Sequence, residues 1–133
     1  MMFQPSARDK RLASLRSQAI SRGARVSLGS GQAQGFTRYS MPWQAKRRDR
    51  NFWRLMRKNY SHPVHLAEFW SVESTSEPDP SEREWLTQQL HALPASIGFV
   101  EAAPDGVALF WSEPAGKEEL AFILQWLEVA AGR

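Results

Sequence analysis

The sequence of residues 97–111 is IGFVEAAPDGVALFW, and this stretch decides the fold class. Two apolar runs flank Pro104, Asp105 and Gly106, a combination that is typical of a tight turn between antiparallel strands. The stretch therefore predicts a β-hairpin with strands near 97–101 and 107–111.

On both sides of the hairpin, apolar residues recur with a helical period. Upstream, Ser81 and Glu84 have the spacing of a capping box, and an apolar stripe follows until Pro94. Downstream, residues 117–131 predict a second helix that stops near Gly132. Residues 64–72, VHLAEFWSV, fit a strand better than a helix, and a polar loop with two prolines follows them.

The predicted order from residue 63 is strand, helix, strand, strand, helix. It predicts an α+β fold with a small antiparallel three-stranded sheet packed by helices, the layout of a ferredoxin-like split unit lacking one strand. A chain of 133 residues fits a single domain with a tail. We expect that domain to span residues 43–133, with the sheet and its helices in residues 63–131.

Residues 44–60, QAKRRDRNFWRLMRKNY, carry the sharpest local pattern. At about 100° per residue, apolar side chains gather on one side and cations on the other, which predicts a basic amphipathic helix. The apolar positions are Ala45, Phe52, Trp53, Leu55 and Met56. The predicted polyanion-binding residues are Lys46, Arg47, Arg50, Arg54, Arg57 and Lys58.

Residues 1–42 are rich in basic residues and Ser, and their Gly-rich stretch 28–35 lacks apolar periodicity, so we expect a flexible basic arm. A short helix from about Ser6 to Ile20 is compatible with the same residues, since Ser6 and Asp9 suit a capping pair. The composition also matches an organellar transit peptide, and Met41 is an alternative start of the natural chain.

The charge is divided unevenly along the chain. Residues 1–60 carry 14 Lys and Arg against two acids, and residues 61–133 carry three Lys and Arg against 12 acids. The net charges of the two parts are therefore +12 and −9. Such asymmetry indicates either a basic part that meets a polyanion or a basic part that folds back on its own acidic partner.

Several chemistries lack the residues they need. The chain has no cysteine, which excludes disulfides, thiolate metal sites and a cysteine nucleophile. No serine lies in a G-x-S-x-G elbow, and the Gly-rich stretch lacks the Lys step of a P-loop. No apolar run approaches the roughly 18 residues of a membrane span. We therefore expect a protein that is not an enzyme and binds no cofactor.

One weak metal-binding candidate is the H-x-x-H-x-x-E spacing of His62, His65 and Glu68. Pro63 argues against the continuous helix that would align these three side chains. A solvated pair of histidines at a loop is the favoured interpretation, and no metal is predicted.

The C-terminal helix carries a second apolar stripe, made of Phe122, Trp126 and Val129, nearly opposite its main one. Something must cover this stripe: the apolar side of residues 44–60, a second copy of the chain, or another protein. The stripe is therefore a predicted protein interface.

Two functions follow. The first is a non-enzymatic binding protein that contacts a polyanion, nucleic acid or a ribonucleoprotein, through its basic helix and arm. The alternative is a protein-interaction or regulatory domain that uses its acidic C-terminal part and the apolar stripe. A membrane surface is a less favoured partner. We expect a cytoplasmic protein, with organellar import through the arm as the minor alternative.

Overall fold

A six-stranded sheet, in which every neighbouring pair of strands is antiparallel, forms the centre of the molecule. The computed structural model describes residues 4, 6–114 and 117–133. The elements are α1 (Ala7–Ser21), β1 (Arg25–Leu28), β2 (Thr37–Met41), β3 (Trp53–Arg57), β4 (Trp70–Val72), α2 (Pro80–Gln89), β5 (Ile97–Ala103), β6 (Gly106–Trp111) and α3 (Lys117–Ala131). The strand order is β1-β2-β6-β5-β3-β4.

The predicted three-stranded sheet was therefore wrong, because three further strands join it. Two of them, β1 and β2, lie in residues 25–41, which had been predicted to be part of a flexible arm. In β2, Tyr39 and Met41 point to the core while Arg38 points to the other face. A five-residue strand with only two apolar core residues is too short to show a periodicity of its own.

The predicted basic helix over residues 44–60 was also wrong. Residues 53–57, WRLMR, form β3, with Trp53 and Leu55 buried in the core and Arg54 on the opposite face. Apolar residues at positions 52, 53, 55 and 56 fit one side of a helix, but 53 and 55 also fit one face of a strand. Residues 53–57 form a strand rather than a helix because they pair with β5 on one side and β4 on the other.

The other local predictions gave mixed results. The hairpin of β5 and β6 and the helix α3 are confirmed. The helix α1 forms with the predicted Ser6–Asp9 capping box and buries Leu12, Leu15 and Ala19. The helix α2 is also present, but Asp79 caps it by accepting from the Glu82 N–H, so the predicted Ser81–Glu84 box was wrong. Of the strand predicted over 64–72, only Trp70–Val72 forms.

All three helices contribute to one continuous apolar core on one face of the sheet. Its largest fully buried side chains include Trp70, Trp111, Tyr39, Leu55 and Ile123. The opposite face of the sheet carries a smaller cluster of Phe99, Phe110, Ala108 and Ala33, with Phe36 and Met56 packed against it. The two faces thus differ in what covers them.

Ion pairs complete the second face. The Glu101 carboxylate on β5 accepts from Arg38 Nε at 3.0 Å and from Arg54 Nη2 at 3.1 Å. The Arg54 guanidinium lies 5.0 Å from the centre of the Phe110 ring and 5.5 Å from that of Phe99. The Arg54 side chain, held in place by Glu101, therefore shields the two phenylalanines from solvent.

The charge asymmetry of the chain is partly neutralised inside this fold. In the described part of the chain, each of the seven ion pairs joins a base from residues 1–60 to an acid from residues 61–133. The pairs are Arg16–Glu113, Arg22–Glu128, Arg38–Glu101, Arg38–Asp105, Arg47–Asp79, Arg54–Glu101 and Lys58–Glu73. The basic part folds back on its acidic partner, and the unpaired cations are the ones most available for other ligands.

We expect a chain shortened to residues 41–133 not to fold. It lacks α1, β1 and nearly all of β2, so the hydrogen-bonding edge of β6 and its apolar core face lose their partners. Thermal unfolding followed by far-ultraviolet circular dichroism should show no cooperative transition for the shortened chain. Size-exclusion chromatography should show that it aggregates. A monomer that unfolds cooperatively would contradict this expectation.

Candidate ligand site

The structure separates the six predicted polyanion-binding residues into two groups. Arg54, Arg57 and Lys58 already have partners within the fold. Arg54 pairs with Glu101, Lys58 pairs with Glu73, and Arg57 donates to the carbonyl oxygens of residues 93, 94 and 97. Burial lowers the pKa of the Arg57 guanidinium, which agrees with a side chain that is held inside the fold. This group is not arranged to receive a ligand.

The second group, Lys46, Arg47 and Arg50, lies in the connection between β2 and β3. We call residues 43–52 the basic loop. The loop surrounds an open depression of about 350 Å³ whose lining includes Trp43, Lys46, Arg47, Arg48, Arg50 and Phe52. Lys46 and Arg48 are exposed and form no ion pair with any described residue.

Arg48 was missing from the predicted set. At 100° per residue, a helix would turn Arg48 away from the face that carries the other cations. In a loop that constraint disappears, and Arg48 joins the same depression as Lys46. The other two cations of the loop already have partners within the fold. Arg47 Nη2 lies 3.3 Å from Asp79 Oδ2, and the Arg50 guanidinium lies 3.6 Å from the centre of the Trp43 ring.

Behind the loop lies a small cavity that we call the tryptophan cavity. Four indoles line it, together with one carboxylate and three guanidinium groups. These residues are Trp43, Trp53, Trp85, Trp126, Glu82, Arg47, Arg50 and Arg133. Its volume is about 20 Å³, and it shares Trp43, Arg47 and Arg50 with the depression of the basic loop. The cavity and the depression therefore adjoin each other.

The hydrogen bonding inside the tryptophan cavity is incomplete. Glu82, only 7% exposed, accepts from Trp53 Nε1 through Oε2 at 3.1 Å. Among the described residues, its Oε1 atom has no hydrogen-bond partner, and neither has Trp126 Nε1. Burial raises the pKa of the Glu82 carboxyl, and the Trp53 hydrogen bond opposes that shift only in part. A buried acceptor and a buried donor without partners thus belong to two residues that line the same cavity.

The sequence carries one signal that points to Glu82. Glu82 precedes Leu86 by four residues and Trp85 by three, so it lies on the buried side of α2. An acid on the apolar face of a helix is uncommon and indicates a site. The four tryptophans come from distant parts of the chain, and only the fold brings them together.

A second buried carboxylate, Glu113, has the opposite character. Arg16 donates to both of its oxygens, at 2.7 and 2.9 Å, Tyr39 donates at 2.7 Å and Thr37 also donates. Burial alone would raise the pKa of this carboxyl, but the hydrogen bonds from Arg16, Thr37 and Tyr39 outweigh it and lower that pKa. With two donors on each oxygen, Glu113 has no capacity left to act as a base.

Glu113 instead fastens α1 to the sheet. Its backbone has φ of 56°, a left-handed conformation that costs a non-glycine residue about 1–3 kcal/mol. The bonds to Arg16 on α1 and to Thr37 and Tyr39 on β2 offset that strain. The cleft of about 340 Å³ next to Glu113 therefore adjoins a carboxylate whose hydrogen-bonding capacity is already filled.

The weak metal candidates do not form a metal site. The rings of His62 and His65 lie 5.4 Å apart, His62 Nδ1 accepts from the Val64 N–H, and His65 Nδ1 lies 2.9 Å from the Glu68 carbonyl oxygen. Within residues 4, 6–114 and 117–133, no three His, Asp or Glu side chains are close enough together to hold a metal ion.

The predicted interface stripe is divided by the structure. Trp126 is 6% exposed and packs on Trp85 with 5.4 Å between ring centres, whereas Phe122 is 37% and Val129 is 54% exposed. Part of the predicted cover in cis is present, since Trp53 lines the same cavity as Trp126. The two exposed residues border a groove of about 230 Å³ between α2 and α3.

Comparison with protein-family models, curated proteins and solved structures finds no match. Function must therefore be inferred from the site itself. Among the described residues, no helix combines the length and apolar character needed to cross a bilayer.

The two buried carboxylates predict opposite effects of amide substitution. Glu113→Gln should lower the free energy of unfolding at neutral pH by about 2 kcal/mol, because it weakens several charge-assisted hydrogen bonds. Glu82→Gln should leave that free energy unchanged or raise it, because a neutral amide is easier to bury than a carboxylate with a free oxygen. Urea unfolding of both variants measures the difference.

The pH dependence separates the two residues further. The folded-state pKa of Glu113 is lowered, so its stabilisation is present above the unfolded pKa of about 4.3 and is lost as pH falls through the folded value. The folded-state pKa of Glu82 is raised, so its ionisation destabilises the fold as pH rises above the unfolded value. A Glu82→Gln variant that is much less stable than the parent at neutral pH would contradict this assignment.

Proposed function

We propose that this protein is a non-enzymatic binding protein for single-stranded nucleic acid and that the basic loop contacts the phosphates. The observation that carries the proposal is the arrangement of Lys46 and Arg48, which are exposed and without ion pairs beside Arg47 and Arg50 in one depression. Among the ten other cations of residues 1–60, Arg16, Arg22, Arg38, Arg54 and Lys58 already pair with acids of the same chain. The loop is where unpaired positive charge is concentrated next to aromatic rings.

The aromatic residues of the loop favour a single strand over a duplex. Phe52 is exposed and Trp43 lies at the boundary between the depression and the tryptophan cavity. Unstacked bases can pack on such rings while the cations contact the backbone phosphates. The membrane alternative depended on an amphipathic helix, and a loop and a strand take its place.

The proposal predicts a defined salt dependence. Four phosphate contacts would make the logarithm of the association constant fall against the logarithm of salt concentration with a slope of about −3. In the double variant Lys46→Ala, Arg48→Ala the slope should become shallower by about 1.4, because two phosphate contacts are removed. Fluorescence anisotropy of a labelled single-stranded RNA across a salt series measures it.

The matched control is Lys10→Ala, Arg25→Ala. It removes two exposed cations from α1 and β1, neither of which lines the depression of the basic loop, and changes the net charge by the same amount. Its slope should stay at the parental value. Equal slopes for the two double variants, or binding that does not respond to salt, would contradict phosphate binding by the loop.

The alternative function, binding of a partner protein, stays a prediction with one supporting observation. Phe122 and Val129 remain exposed beside the groove between α2 and α3. If that groove associates with another protein chain, Phe122→Ser with Val129→Ser should abolish the association and leave folding intact. Light scattering reports self-association, and an oligomer unaffected by the double variant would remove the groove as its interface. Trp126→Ala is unsuitable, because its buried ring supports the fold.

A further inference from the structure

The tryptophan cavity has hydrogen-bonding groups that a ligand can complete. An ionised carboxylate only accepts and an indole N–H only donates. A ligand that satisfies both Glu82 Oε1 and Trp126 Nε1 must therefore present a donor next to an acceptor. Both side chains are more than nine-tenths buried, so the site is enclosed by the fold rather than formed at an open surface.

The charges around the cavity indicate the class of ligand. Arg47, Arg50 and Arg133 line it, against the single carboxylate of Glu82. This excess of positive charge disfavours a cationic guest, although aromatic cages often bind cations. It favours a ligand that carries phosphate, which arginine binds through paired hydrogen bonds.

The indole faces indicate a planar group. The Arg50 guanidinium lies 3.6 Å from the centre of the Trp43 ring, and that of Arg133 lies 4.5 Å from the centre of the Trp85 ring. Flat groups thus already stack where an aromatic ligand would stack. The cavity of about 20 Å³ holds roughly one water, so a ring can enter only if the Arg50 side chain leaves the Trp43 face.

We propose that the tryptophan cavity takes one unstacked nucleobase of the strand bound by the basic loop, an inference that rests on the proposed function. The Watson–Crick edge of a base carries an N–H donor beside a nitrogen or oxygen acceptor. Glu82 Oε1 accepts from that donor, and Trp126 Nε1 donates to the neighbouring acceptor. The Arg50 guanidinium moves from Trp43 to a phosphate in the adjoining depression.

The test compares two ligands of the full-length protein. One is a short mixed-sequence single-stranded RNA, and the other is the same strand with abasic riboses throughout, so that the phosphates are identical. The intact strand should bind roughly tenfold or more tightly, because only it can stack and pair in the cavity. Isothermal titration calorimetry measures both affinities.

The outcomes separate this inference from the proposed function. Equal affinities would overturn base insertion and leave phosphate binding by the loop in place. If neither strand binds, the proposed function fails and the inference fails with it. A gain for the intact strand that depends on the cavity supports both.

Dependence on the cavity is tested with Trp126→Phe, which keeps an aromatic ring but removes the N–H group. It should reduce the advantage of the intact strand several-fold and leave the affinity for the abasic strand and the salt slope unchanged. The control is Trp70→Phe, which replaces a buried tryptophan of the core that does not line the cavity. Equal losses in the two variants would overturn the assignment.

Discussion

A sheet with helices on only one face has to cover its other face with its own side chains, and in this protein the carboxylate of Glu101 organises that cover. Glu101 holds Arg38 of β2 and Arg54 of β3, two strands that are not neighbours. Phe99 and Phe110 are almost fully buried although no α-helix packs on them: the Arg54 guanidinium lies over both rings, and Ala33, Phe36 and Met56 pack beside them. Exposed ion pairs contribute little stability, but here the arginine stems also remove apolar surface from water.

This use of charge explains which parts of the fold could be predicted from the sequence. The β5–β6 hairpin and α3 were predictable because their apolar patterns are long and their turn or end signals are local. The strands β2 and β3 were not, because each is only five residues long and Arg38 or Arg54 occupies positions where an apolar second layer would be expected. Their partners are carboxylates in distant parts of the chain, which no local window contains.

The candidate site was predictable only in part for the same reason. The run of cations around residues 46–50 was visible, and the three that were predicted to bind, Lys46, Arg47 and Arg50, do border one depression together with Arg48. The importance of Glu82 was not, because the same residue in a first helical turn suits the helix dipole. Glu82 and Glu113 differ in their hydrogen-bond partners. Three side chains donate to the Glu113 carboxylate, whereas one oxygen of Glu82, in the tryptophan cavity, has no partner among the described residues. Composition and spacing carry no information on that difference.

The position of β6 also has a consequence for how the molecule acquires its structure during synthesis. β6 lies between β2 and β5 in the sheet, but β2 ends at Met41 and β6 begins only at Gly106. A nascent chain that has emerged as far as Tyr60 carries most of its cations and almost none of the acids that neutralise them. Such a nascent segment is strongly basic and lacks the central strand, so β2 can pair with β1 but not with β6 until residues 106–111 have been synthesised. The complete sheet is therefore expected to assemble only after those residues have emerged.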